Sequence, residues 1–317
     1  MRKISALLLA CLLVFSAFPA FAEDTVTPRV AALSGPTAMG MAAFLTADSV
    51  YAAADELVPL FSRGEIDIAS VPLNLIANLY NNPDMKDENR PLLLAVNTLG
   101  VLYIVEKGGD TISSIESLRG QTMYATGQGN TPEYALDYLL TQHGLTPDTD
   151  VTVEFKSSPN EVLPLLKNAE HAVAMLPQPF VTVAASQVEG LRIALDLTAE
   201  WDALENGSRL ITSGVMVRKG FAEENPEAVA AFLDKLAESV AFVNAQPQEA
   251  AQLIEALGIV KAPIAQKAIP ACNIVCISGE EMQSIVPGYL ATLLDQNPAS
   301  VRGKLPDEGF YWAHEAK

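Results

Sequence analysis

ELVPLFSRGEIDIASVPLN (residues 56–74) and EVLPLLKNAEHAVAMLPQP (residues 161–179) align without a gap at a constant offset of 105. Glu56, Pro59, Leu60, Glu65, Ala69 and Pro72 recur as Glu161, Pro164, Leu165, Glu170, Ala174 and Pro177, six identities in nineteen positions. The flanks match as well. VTPRVAALSGPTAMGMAAFL (26–45) and GQTMYATGQGNTPEYALDYLL (120–140) each read as an apolar strand, a Gly/Thr/Pro loop and an amphipathic helix. The repeated unit is strand, loop, helix, strand, helix, strand, closed by a proline. Strands that alternate with helices pair in parallel, because a parallel crossover needs a helix-length connection. A duplicated α/β unit predicts two doubly wound lobes with a ligand cleft between them.

Two further stretches predict how the lobes are joined. PLLLAVNTLGVLYIVEKG (91–108) is too long and apolar for one ordinary strand, and Gly100 gives it backbone freedom. It reads as a crossing from the first lobe to the second. SRLITSGVMVRKG (208–220), with Gly214 inside, reads as the return crossing. The expected boundaries are 23–99 with 208–317 for lobe 1, and 100–207 for lobe 2. The intervening segments predict helices at SIESLRG (114–120), FVTVAASQVEG (180–190) and TAEWDALENG (198–207), a strand at LRIALDL (191–197), and a helical remainder opening at Pro226.

Residues 1–22 have the pattern of a secretory signal peptide. Arg2 and Lys3 precede an apolar run, and Ala20-Phe21-Ala22 supplies a cleavage signal. The run continues past Cys11, which disfavours lipid attachment there and favours a free periplasmic form. Cleavage leaves 295 of the 317 residues, enough for two ordinary domains. The formal charge is −18, or −20 without Arg2 and Lys3, which disfavours nucleic acid and anionic membranes as partners. Cys272 and Cys276 remain after cleavage; a bridge and two buried thiols both fit their spacing.

Ligands of doubly wound sheets sit at the carboxyl ends of strands, against helix N-termini. Thr37, Ala38, Met39 and Gly40 take this place in the first lobe, and Gly127, Gln128, Gly129, Asn130 and Thr131 in the second. Leu73, Asn74, Asn97 and Thr98 end two more first-lobe strands, Gln178 ends the matching second-lobe strand, and Ser213 lies in the expected return crossing. These loops contain no Lys, Arg, Asp or Glu; Arg209 is the nearest charge. Amides and hydroxyls suit a neutral polar molecule or an anion, and exclude a cation. A core or cap role is expected for Trp201, and a core role for Tyr124.

The segments GPTAMGM (35–41), GEIDIASVPLN (64–74), NTLGVLYIVE (97–106), YATGQGNTPEYAL (124–136), LPQPF (176–180) and SGVMVRKGFAEENPEAV (213–229) resemble the solute-binding proteins of ABC importers. The resemblance is to the branch that binds nitrate, sulfonates such as taurine, and thiamine pyrimidine precursors. It implies a monomeric periplasmic protein that closes on a small molecule and delivers it to an ABC permease. LPQPF departs from the branch's LPEPF, with Gln178 in place of a carboxylate.

An enzyme is disfavoured. His143, His171 and His314 are scattered without metal-ligand spacing, and no G-x-S-x-G, Walker A or H-E-x-x-H motif is present. GQGNTP (127–132) lacks the third glycine of a dinucleotide fingerprint. No catalytic residue, cofactor or metal ligand is therefore assigned. The alternatives are a menaquinone- or thiamine-pyrimidine-type biosynthetic enzyme on the same fold, against which the signal peptide argues, and a ligand sensor for a membrane receptor.

Overall fold

The computed structural model describes residues 26–313. The signal-peptide reading, Cys11 and His314 lie outside them.

The first unit runs β1 (Val30–Leu33), α1 (Pro36–Met39), β2 (Val50–Tyr51), α2 (Ala54–Ser62) and β3 (Ile68–Pro72). Then come α3 (Leu73–Tyr80), β4 (Pro91–Leu99) and β5 (Leu102–Lys107). The second unit is β6 (Thr122–Thr126), α4 (Thr131–Gln142), β7 (Thr152–Lys156), α5 (Pro159–Asn168) and β8 (Ala172–Pro177). It is followed by α6 (Phe180–Gln187), β9 (Leu191–Asp196), α7 (Leu197–Asp202) and β10 (Ile211–Arg218). The chain ends in α8 (Lys219–Glu224), α9 (Pro226–Ala245), α10 (Pro247–Ala256), α11 (Ala262–Ala268), β11 (Ile274–Ile277) and α12 (Gly279–Gln296).

Two sheets form. One has the order β2-β1-β3-β10-β4-β11 and the other β7-β6-β8-β5-β9. The repeat is visible in their construction: β1 lies between β2 and β3, all parallel, and β6 lies between β7 and β8 in the same way. In each sheet an antiparallel strand follows, β10 beside β3 and β5 beside β8. The apolar pattern explains the match. Leu57 and Phe61 of α2 are wholly buried, and so are Val162 and Leu166 of α5, each pair related by the offset of 105. Pro72 and Pro177 end the matching strands, where a residue without an N–H can sit.

The structure departs from the sequence reading in four places. The long apolar run is two strands in different sheets, and the chain changes lobe at Gly100-Val101. The stretch around Gly214 is not a crossing. β10 lies wholly in the first sheet, and a Cβ at Gly214 would come within 2.8 Å of Leu93 Cδ1. The return occurs between α7 and β10. The helix expected after β1 is only Pro36–Met39; Gly40, which follows it, packs where a Cβ would stand 2.9 Å from Ile274. The C-terminal region also contains β11, which pairs antiparallel with β4. Cys276 lies on that strand, and both cysteines are free thiols, with burial pushing Cys272 up to about 12.

The lobes touch on both sides of the crossing. Buried Met282, Val286, Tyr289 and Leu290 of α12 share one apolar cluster with Leu136, Leu139 and Trp201 of the second lobe. Trp201 takes the core role: its ring lies 4.6 Å from Tyr138 and 5.8 Å from Tyr289, and Nε1 donates to Ser208 Oγ. Tyr124 is half-buried on β6 beneath Lys156. On the other side, Tyr103 Oη donates to the Ala271 carbonyl at 3.1 Å, and Asn273 donates to the Gly100 carbonyl.

The second lobe is pinned by a buried carboxylate. Glu106 accepts from the Thr111 hydroxyl and amide, the Ile112 amide, His171 and Arg192. Burial alone would raise its pKa, but the hydrogen bonds from Thr111, His171 and Ile112 outweigh it and hold the group at about 2. A depressed carboxyl pKa stabilises the fold fully above its unfolded value, 4.5, and the contribution fades as pH falls toward 2. Glu106→Gln is therefore expected to cost about 3 kcal/mol of unfolding free energy at pH 7. It is also expected to flatten the acid limb of the stability curve, measured by denaturant titration from pH 7 to 2.5.

Candidate functional site

β4 and β3 both run antiparallel to β10, so β1, β3 and β4 end on the same edge of the first sheet. β6, β8 and β9 end together on one edge of the second. The link at Gly100-Val101 joins the end of β4 to the start of β5, next to the end of β8. The two carboxyl edges therefore meet at the crossing. Thr131 Oγ1, at the start of α4, donates to Asn74 Oδ1, at the start of α3, at 3.1 Å. Both residues are buried, and Tyr289 Oη of α12 lies 3.4 Å from the same Thr131 oxygen.

The residues singled out from sequence fall into three groups. The first is structural. Asn97 Nδ2 donates to the Thr37 carbonyl at 3.0 Å and to Ser70 Oγ at 2.8 Å, while its Oδ1 accepts from Ser213 Oγ at 2.9 Å. This network ties α1, β3, β4 and β10 together at the cleft ends of the strands. Ala38, Met39 and Leu73 are wholly buried in the apolar clusters of the first lobe, and Gly40 is buried beside them. The amides of Ala38 and Met39 are taken by the Gly35 carbonyl.

The second group bonds to itself. Asn130 N–H donates to the Gly127 carbonyl at 3.1 Å, and its side chain donates to the Gln128 carbonyl. The Gly129 amide donates to the Glu133 carboxylate, and Tyr134 Oη donates to the Gly129 carbonyl. The positive end of α4 thus already holds a carboxylate of its own chain, a neighbour the sequence reading did not anticipate.

The third group has unspent donors. Gln178 is 3% exposed, and its Oε1 accepts from the Thr182 amide and hydroxyl. The amide donor requires an oxygen there, which makes Nε2 the free end. Asn74 is 4% exposed, and its Oδ1 is taken by Thr131, which leaves Nδ2. Thr37, and Thr126 at the end of β6, bring hydroxyls with no hydrogen-bond partner among the described residues. None of these four is among the sealed, partnerless atoms of the described residues. Those are the hydroxyls of Thr98, Thr198 and Thr212 and Nε2 of His143. Thr126, Thr198, Thr212 and Tyr289 were not singled out from sequence; threonines on apolar strands and a tyrosine in a distant helix carry no motif.

A groove of about 510 Å³ lies elsewhere, at the start of β1, with Phe44, Tyr51, Phe232 and Lys235 in its lining. Two of its charged groups are engaged: Arg29 is bonded to Asp67, and Lys235 lies over the Phe44 ring. Among the described residues no group of three His, Cys, Asp or Glu side chains is placed to hold a metal ion.

The division into structural and free donors has a measurable consequence. Asn97→Ala strands three polar partners and is expected to lower stability by about 2–3 kcal/mol in denaturant unfolding. Asn74→Ala breaks one neutral hydrogen bond and is expected to cost about 1 kcal/mol.

A crystal structure of an ABC transporter from Parabacteroides distasonis superposes with a TM-score of 0.75 at 26% identity, covering 92% of this chain and 100% of the other. The periplasmic aliphatic sulphonate-binding protein of Escherichia coli superposes with a TM-score of 0.69 at 15% identity, covering 92% and 95%. The periplasmic nitrate-binding protein of Synechocystis gives 0.54 at 13% identity, covering 82% and 75%. The two-sheet α/β fold is thus that of periplasmic binding proteins. A sequence search of curated proteins returns no match. The model of one family matches residues 37–258, most of the described chain, and the protein belongs to that family, the NMT1-like family.

Proposed function

We propose that the chain is an extracytoplasmic solute-binding protein of an ABC importer, and that it holds one small, neutral, acceptor-rich molecule where the two carboxyl edges meet. The observation that carries this reading is the pair of buried amide groups with free N–H donors, Asn74 from the first lobe and Gln178 from the second. An NH₂ group only donates, so it calls for an acceptor on the ligand. A carboxylate in place of Gln178 would accept instead, and would call for a ligand donor.

Neutrality follows from what surrounds these donors. No cationic side chain stands among the candidate residues, and Glu133, in the first turn of α4, already accepts from the Gly129 amide just before that helix. An anion would meet that carboxylate within a chain of net charge −18. A carbonyl-bearing heterocycle, amide or similar molecule meets only donors. The similarity to a sulphonate-binding and a nitrate-binding protein supports the transport reading, and the permease partner rests on the same family logic.

Native mass spectrometry of the purified protein is expected to reveal a co-purifying small molecule. Its affinity, measured by calorimetry, is expected to fall about three- to ten-fold in Thr37→Ala and in Gln178→Leu, as for loss of one neutral hydrogen bond. Full affinity in both variants would place the ligand elsewhere. Binding that weakens steeply with added salt would contradict a neutral ligand.

A further inference from the structure

Gln178 is fixed at both ends. Its backbone N–H donates to the Val101 carbonyl at 2.9 Å, in the crossing between the sheets. Its side chain reaches α6, where Oε1 accepts from the Thr182 amide at 3.3 Å and from the Thr182 hydroxyl at 2.8 Å. Thr182 is the third residue of α6, and the first amides of a helix have no partner inside it. Pro179, the N-cap residue, makes no side-chain cap. The Gln178 oxygen therefore supplies an acceptor that the helix needs, from one position earlier.

This contact sets which way the carboxamide faces. A backbone amide only donates, so an NH₂ group turned toward Thr182 would place donor against donor. With the oxygen on Thr182, the planar carboxamide points Nε2 away from α6. The support itself does not depend on the nitrogen. A carboxylate at position 178 would meet Thr182 with one oxygen, through charge-assisted bonds at the positive end of a helix. Its second oxygen would then point where Nε2 points now. The end held by α6 is an oxygen in both cases; the opposite end is a donor in the amide and an acceptor in the acid.

We infer that Thr182 is a positioning residue that makes Gln178 the polarity selector of the site, admitting an acceptor atom of the ligand and rejecting a donor in its place. The inference rests on the binding reading above and deepens it by assigning the selectivity to two residues. Gln178 selects through its outward NH₂ group. Thr182 acts through Gln178, by holding the oxygen on the other side.

The test compares Gln178→Glu with Gln178→Leu in the purified protein. Gln178→Glu keeps an oxygen on Thr182 and is expected to unfold at a higher thermal midpoint than Gln178→Leu, which leaves that amide uncapped. Affinity is expected to run the other way. The probe is the molecule that co-purifies with the wild type, and calorimetry is expected to show it binding Gln178→Glu about ten-fold or more weakly than Gln178→Leu, because an outward carboxylate faces its acceptor. Thr182→Val is expected to weaken the same probe about three-fold in the wild-type background and to change nothing further in Gln178→Leu, with Thr182→Ser restoring wild-type affinity. Equal affinity in the two position-178 variants would overturn the inference and leave the binding reading intact. So would a Thr182→Val loss of the same size in both backgrounds, which is what a purely structural role produces. A midpoint for Gln178→Leu at or above that of Gln178→Glu would also overturn it. Wild-type affinity in every variant would place the probe elsewhere, and the binding reading would fail together with the inference.

Discussion

The crossing at Gly100-Val101 is the constraint from which the rest follows. β4 ends at Leu99 in one sheet and β5 begins at Leu102 in the other, so the sheets cannot separate by more than a two-residue link. Because β4 runs parallel to β3 and β5 runs antiparallel to β8, that short link brings the carboxyl ends of both repeats to one place. The side chains around the link are fitted to it: Thr198 and Leu210 pack where a Cβ on residue 100 would stand, and Asn273 bonds to its carbonyl.

Around that point the polar groups divide by what they are bonded to. Asn97, Ser70 and Ser213 are consumed in holding three strands and α1 together. The Gly127–Asn130 loop is consumed by its own turn and by Glu133. The amide nitrogens of Asn74 and Gln178 remain, together with two threonine hydroxyls. This residue of unspent donors supports a neutral ligand more than residue types alone, since glycines and asparagines in loops look alike whether their amides are free or taken.

Much of the fold was legible because it is written twice. The offset of 105 that aligns Pro59 with Pro164 and Pro72 with Pro177 also aligns α2 with α5 and β3 with β8. The short α1 was not legible, and neither was the packing of Gly40 at its end against Ile274, a contact spanning most of the chain. Gly214 misled because a glycine needed for close packing and a glycine needed for a crossing have the same appearance in sequence. β11 was hidden in a region of helical pattern, where four residues carry no readable period. Among the candidate residues, sequence named the loops but not their bonding. Thr131 and Asn74 meet each other, and Glu133 reaches back to Gly129, through geometry that spacing does not encode.

The central claim is that the ligand lies at the meeting carboxyl edges and is held by neutral donors from both lobes. A crystal structure of the protein purified with its bound molecule tests this most directly. The account predicts density at the crossing, with acceptor atoms within about 3 Å of Asn74 Nδ2 and Gln178 Nε2 and no cationic side chain against it. Density in the groove beside Phe44 and Phe232, with the junction empty, would contradict it.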